Sequence, residues 1–231
     1  MGEPREAPIA FSAPLVREIF ADRKTQTRRV AKVTELRHGI VGLRMPGTNT
    51  VVVLDPERGP VWHPCGGLQE AEPYPHVARL CPYGEAGSLL WVREPLRPAA
   101  GVVTYDADGA TTLDADGRAR PWPWKTRYIA SRYCPRWASR LTLRVTEVRV
   151  ERVQEISEED AIAEGCSGFD PEPVDEGGTI YAMRGRSSAP SPLAHFRHLW
   201  DQINAARSGC SWEANPWVWC VTFEREEVRR G

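Results

Sequence analysis

One long strand, whose inward side changes partway along, limits most what this chain can fold into. Leu141, Leu143 and Val145 alternate with polar residues, and Val148 and Val150 then alternate on the opposite parity. Side chains of a strand switch faces every residue, so a change of parity sends later residues to the wrong side unless one extra residue is accommodated. The spacing predicts a strand over Leu141–Val153 with a bulge or bend near Thr146 and Glu147. Such bends are expected where a sheet curls toward a barrel.

Other elements can be placed around that strand. Pro14 to Asp22 reads as a short helix, with proline in its first turn and Leu15, Val16, Ile19 and Phe20 on one face. Ser88 to Arg93 reads as a strand. Ser157 to Gly165 reads as a small helix, with a serine cap, acids in the first turn and a glycine stop. Pro192 to Arg207 reads as the longest helix, with Phe196, Leu199, Trp200 and Ile203 on one face. Asn215 to Glu224 reads as a final, buried strand. The 20 prolines and 19 glycines cluster between these elements. Pro46–Gly87 and Phe169–Pro192 therefore read as loop-rich, and Asp106–Gly117 as a hairpin tip. With no internal repeat and no composition break, the expectation is one α+β domain over 1–231, with insertions at about 31–87, 106–135 and 166–191.

Charge narrows the function. Thirty Lys and Arg stand against 31 Asp and Glu, for a net charge of −1, so no overall basic field draws the chain onto a long duplex. A nucleotide or nucleic-acid role has to come from a local site. Only Lys24, Lys32 and Lys125 are lysines, a bias that a GC-rich genome accounts for. No apolar run approaches the ~18 residues of a membrane span, and Met1–Glu6 lacks a signal peptide's apolar stretch, so the expected location is the cytoplasm. Cys65, Cys81, Cys134, Cys166, Cys210 and Cys220 contain no C-x-x-C pair and read as buried free thiols. His63, Cys65, His76 and Cys81 match no ligand spacing, so no metal site is expected.

Ala21–Arg29, following the first helix, holds Arg23, Lys24, Arg28 and Arg29 with Thr25 and Thr27 among them. On local sequence it reads as a solvated basic helix end, as an anion or nucleic-acid contact, or as a Lys/Thr pair that activates a hydroxyl. Arg23-Lys24-Thr25-Gln26-Thr27-Arg28 resembles the N-terminal motif of ASCH-domain proteins of the PUA-like superfamily. Leu89–Glu94, Pro135–Arg140, Ile156–Ala161 and Asn215–Trp219 are similar to segments of its larger, phage-associated members, in the same order. The resemblance implies a small β-barrel with flanking short helices and long loop insertions, and an association with RNA.

One branch of that family is an amidohydrolase that removes the acetyl group from N4-acetylcytidine. By motif position its catalytic lysine, threonine and glutamate fall on Lys24, Thr27 and Glu164, with no cofactor or metal. Asp22 stands where that branch has glycine, and this chain is about twice as long. Thr27 is then the nucleophile. Lys24 shares a face with Thr27 if the turn stays helical; otherwise the loop must join them. A lysine base must lose ~3 units from its ordinary ~10.4, about 4–5 kcal/mol, through burial and the neighbouring arginines. Two versions stand: Lys24 as base with Glu164 as proton shuttle, which the resemblance favours, or Glu164 as base with protonated Lys24 stabilising the oxyanion.

Arg23, Arg28 and Arg29 are candidate substrate contacts. Trp91 and Trp137 read as core residues or as stacking partners for a base. Glu94 reads as a strand-end charge paired with an arginine, or as a second carboxylate of the site. The expected substrate is a small nucleoside or nucleobase. A non-catalytic PUA-like module that binds RNA or modified nucleic acid is the second reading, and a ribonuclease the third.

Overall fold

The computed structural model describes residues 4–35, 41–44, 51–55, 59–62, 72–73, 76–166, 169–173, 179–183, 188–189 and 191–226. In chain order the elements are β1 (Glu6–Ala10), α1 (Ala13–Phe20), β2 (Gln26–Val30), β3 (Thr34–Glu35), β4 (Val41–Arg44), β5 (Val51–Asp55), β6 (Gly59–Trp62) and β7 (Glu72–Pro73). There follow β8 (Leu89–Arg93), β9 (Leu96–Ala99), β10 (Val102–Tyr105), β11 (Thr142–Arg152), α2 (Glu158–Ala163), β12 (Phe169–Pro173), β13 (Thr179–Met183), β14 (Ser188–Ala189), α3 (Pro192–Asn204) and β15 (Trp217–Glu226).

β11 organises the main sheet. Its register against β15 shifts between Val145 and Glu147, where the parity of the sequence changes. The inserted residue keeps Leu143, Val145, Val148 and Val150 on one face, against the same core. The sheet runs β1-β8-β11-β15-β2. Only β1 and β8 pair in parallel; the other pairs are antiparallel. Chain ends meet here, since β2 lies beside β15 almost two hundred residues later. The α+β class expected from the sequence is what the structure has. Its described strands form open sheets, with β1 and β2 as the free edges of the largest.

Two apolar clusters sandwich this sheet. On one face Phe11, Val16 and Ile19 pack on Trp217, Trp219, Val221 and Phe223. On the other, Val153, Ile156, Ala161, Phe196, Trp200 and Val218 bind α2 and α3 to the strands. Ser157, the expected cap of α2, accepts from Asp160 N at 3.1 Å, and Ser191 caps α3 by accepting from Ala194 N at 3.2 Å.

Two stretches differ from the sequence expectation. The loop-rich reading of Pro46–Gly87 gives way to β5, β6 and β7, part of a five-stranded meander β3-β4-β5-β6-β7. That of Phe169–Pro192 gives way to the sheet β12-β13-β14. Pro73 and Pro171 sit in edge strands of those sheets, where a missing N–H costs no ladder bond. Five of the six cysteines are buried and free; Cys65 and His63 lie outside the described residues.

Candidate functional site

The site begins where α1 ends. Ala21 caps the helix, and Asp22 turns the chain in the left-handed region at φ 54°. Both Arg23 N and Lys24 N then donate to Glu18 O, at 3.0 and 3.2 Å. Thr25 N reaches across to Ala163 O at the end of α2 (2.9 Å), and Thr25 O accepts from Phe223 N (2.8 Å). Lys24 thereby forms a bridge with Glu164. The chain is extended, not helical, between Lys24 and Thr27, so the shared helical face is not realised.

Gly165 turns the chain beside this contact in a conformation that favours glycine. It has φ +91°, and a Cβ there would lie 3.4 Å from the Cβ atoms of Lys24 and Glu18. The glycine predicted as a helix stop also sets the turn beside the lysine stem.

Lys24 Nζ donates to Gln26 O (2.7 Å), Glu164 O (2.7 Å) and Glu164 Oε2 (2.8 Å). Lys24 is 2% exposed and Glu164 5%. Burial pushes the lysine below its ordinary range, Glu164 holds it up, and Arg29 pushes it further down. Three acceptors around one nitrogen match the three hydrogens of an ammonium; a neutral amine has only two to give. The other carboxylate oxygen, Glu164 Oε1, receives no hydrogen bond and lies 3.5 Å from Arg28 Nη1.

β2 splits its side chains between two faces. Thr27 pairs with Val221 and Arg29 with Trp219 in the β15 register, so both lie on the Phe11 side. There the Arg29 guanidinium stands 5.2 Å from the Phe11 ring and donates to Ala10 O at 2.7 Å. Gln26 and Arg28 lie on the other face. Arg28 is held by Glu151 Oε1 (2.6 and 3.0 Å), Asp160 Oδ2 (2.6 Å) and Gln26 Oε1 (2.6 Å). Arg149 joins the same two acids. This network anchors α2, and with it Glu164, to the sheet.

A cavity of about 280 Å³ opens at this edge of the sheet. Lys24, Thr27, Arg28, Arg29 and Glu164 line it together. Leu15, Tyr83, Phe196 and Trp200 give it apolar and aromatic walls, and Lys32 and Arg207 add cations. Cys166 beside Glu164 is no thiolate: burial, with the Glu164 charge adding to it, pushes its thiol up to about 12.

No family model and no curated protein matches this chain. A crystal structure of protein EF3133 from Enterococcus faecalis V583, with the family model DUF984, aligns over 100% of this chain and 85% of that one, at 13% identity and a TM-score of 0.36. A likeness that low carries nothing about activity.

The structure thus gathers Lys24, Thr27, Glu164, Arg28 and Arg29, five of the nine residues singled out from sequence. The solvated-helix-end reading of this segment fails, because Lys24, Thr27 and Arg28 are buried. Arg23 is apart from the cavity, exposed and forked onto Glu18 at 2.7 and 2.8 Å. Trp91 and Trp137 do not line the cavity either. Trp91 lies under the guanidiniums of Arg93 and Arg136 (4.6 and 5.4 Å), and Trp137 stacks on Trp124. Glu94 is fully buried and forked onto Arg140 at 2.8 and 2.9 Å, the paired-charge alternative of its sequence reading. The anchors Glu151 and Asp160 and the walls Phe196 and Trp200 were missed as site residues. The signal for the walls was present as the apolar face of the last helix, but a cavity wall and a core face have the same period.

Proposed function

We propose that this chain is an ASCH-type, PUA-like amidohydrolase that removes the acyl group from N4-acylated cytidine or cytosine. The observation that carries the reading is the buried Lys24–Glu164 pair, with one carboxylate oxygen that accepts no hydrogen bond, in the same cavity as Thr27. The cavity's aromatic walls suit a flat pyrimidine.

Thr27 Oγ1 attacks the acyl carbon and its proton passes to the Glu164 carboxylate. The collapsing tetrahedral intermediate expels the exocyclic amine, which takes that proton. Water, deprotonated by the same carboxylate, then cleaves the threonyl ester and releases the carboxylic acid. Lys24 keeps its proton, holds Oε2 in place and sets a positive charge beside the developing oxyanion. Its three acceptors favour this version over the one with Lys24 as base.

The test is to incubate the protein with N4-acylated cytosines, cytidines and deoxycytidines and follow the loss of the acyl-shifted absorbance. Conversion by the wild type and none by Thr27→Ala is the expected result. Untouched substrate after hours would sink the reading.

A further inference from the structure

The segment from Arg118 to Arg140 stands outside this chemistry and differs from the rest of the chain. It holds six arginines, one lysine, three tryptophans and two tyrosines, and no Asp or Glu. The remaining residues carry 23 cations against all 31 acids, a net charge of −8. The near-zero total therefore hides a polarised molecule.

Part of that positive charge is already used. Arg140 is committed to Glu94 and Asp108, and Arg118 and Arg136 have exposed partners in Asp116 and Glu6. Arg120, Lys125, Arg127 and Arg132 make no ion pair among the described residues. Neither does Arg93, which joins them through its bond to Arg132 O at 3.0 Å.

Rings and guanidiniums alternate along one surface. The Arg132 guanidinium lies 5.3 Å from the Tyr133 ring. Arg93 and Arg136 share the Trp91 ring. The next ring, Trp137, is 4.7 Å from Arg120 and stacks on Trp124 at 6.0 Å and 12°. Tyr133 is 67% exposed, Tyr128 44% and Trp137 42%. Tyr128 lies under Arg97, which Asp106 pairs, but Tyr133 and Trp137 stand in water beside cations without an ion pair, open to a stacking partner. Every base has a π-face and every nucleotide a phosphate, whereas an acidic peptide would use only the charge.

We infer that the 118–140 surface, with Trp91 and Arg93, binds single-stranded nucleic acid, its cations tracking phosphates and Tyr133 and Trp137 stacking bases. Both RNA and single-stranded DNA offer this chemistry. The surface is separate from the cavity, so it stands whether or not the chain deacylates cytidine.

Fluorescence anisotropy of the full chain with labelled oligouridylate and oligodeoxythymidylate of about twelve nucleotides, within the ~4–16 that one such surface spans, tests it. The two probes tell which source is preferred. With four or five phosphates neutralised, log Kd against log salt has a slope of magnitude about 3, so affinity falls about 60-fold between ~50 and ~200 mM. The triple variant Lys125→Gln, Arg127→Gln, Arg132→Gln lowers that slope by about 2. Tyr133→Ala, at an exposed site that leaves folding intact, weakens binding about tenfold. No binding at about 100 μM protein in low salt, the weak end of non-specific affinity, overturns the inference. So does a duplex that binds as tightly as the single strands, polyglutamate that competes as well as they do, or a slope the triple variant leaves unmoved. Deacylation without strand binding defeats this inference alone, and strand binding without deacylation defeats only the hydrolase reading.

Discussion

Two buried carboxylates in this molecule each meet a cation, and they are built to opposite ends. Glu94 is fully buried, and both of its oxygens are taken by the Arg140 fork, which also grips Asp108. Nothing of that pair is left to bind or move a proton. Glu164 is nearly as buried but only half satisfied. Oε2 is fixed by Lys24 and Oε1 accepts no hydrogen bond, beside a cavity. A saturated pair holds structure together. An unsaturated one leaves an acceptor open to a new donor and costs stability, because a buried acceptor without a donor forfeits its hydration. Burial and charge do not separate them; the count of hydrogen bonds per oxygen does.

Removing the carboxylate of each pair should break this contrast most sharply. Glu164→Gln is nearly isosteric and is expected to cut kcat for N4-acetylcytidine by about 10²–10⁴, the range for a general base. Its melting temperature should fall as well, because the buried Lys24 ammonium loses its counter-charge, so turnover per folded molecule is the readout. Thr27→Ala should leave no measurable turnover. Glu94→Ala should do the reverse. It strands Arg140 in a buried site and is expected to cost about 3–5 kcal/mol in a denaturant titration. Activity per folded molecule should survive. If Glu94→Ala instead lost turnover at full stability, the division of roles drawn here would be wrong.

These two pairs also mark how far the sequence could be read. The parity switch of β11 and the Ser157 cap of α2 were legible because each rests on local spacing, whereas Lys24, Thr27 and Glu164 were singled out as a triad only through the family resemblance. The partner of Glu94 was not, since Arg140 lies 46 residues on and any of 27 arginines could have met it. The short strands of 46–87 and 169–192 were hidden by prolines, of which Pro73 and Pro171 sit in edge strands and Pro60 within β6. Exposure was misread as well. Four cations after a helix suggested solvent, yet the sheet takes Lys24 and Arg28 into the interior, where acids from β11 and α2 wait for Arg28.

A smaller effect probes how Glu164 is aimed. Gly165→Ala must hold a side chain at φ +91° in contact with Lys24 Cβ, at a cost of about 1–3 kcal/mol. Because the strain falls between Glu164 and Lys24, kcat should drop more than KM changes. Equal losses of stability alone, with kinetics intact, would show that the pair tolerates displacement.

The lysine itself adds a pH signature. Its pKa is lowered by burial more than Glu164 and its neighbours restore it. Between that lowered value and the ordinary ~10.4, the unfolded chain carries a proton that the folded chain has released. Stability contributed by this group therefore rises with pH across that window and is lost as pH falls through it, at up to ~1.4 kcal/mol per unit. The double variant Lys24→Met, Glu164→Met should lack the rise. Melting curves of both proteins from neutral pH to about 10 would reveal it as a gap that changes with pH. A constant gap would mean that Lys24 stays protonated throughout.

The smallest expected effect concerns Asp22, the one departure from the N-terminal motif of the resembling amidohydrolases, which have glycine there. Asp22 sits at φ 54°, a conformation glycine adopts freely and aspartate tolerates at a cost of about 1 kcal/mol. It regains part of that through a 3.1 Å contact with Arg225, both side chains well exposed, and such surface pairs contribute at most about 1 kcal/mol. Asp22→Gly should then change stability by less than about 1 kcal/mol and leave the Lys24–Glu164 geometry, and turnover, as they were. A large loss of activity would mean that the turn after α1 sets the lysine through its side chain, and that Asp22 belongs with the reactive pair and not with the scaffold.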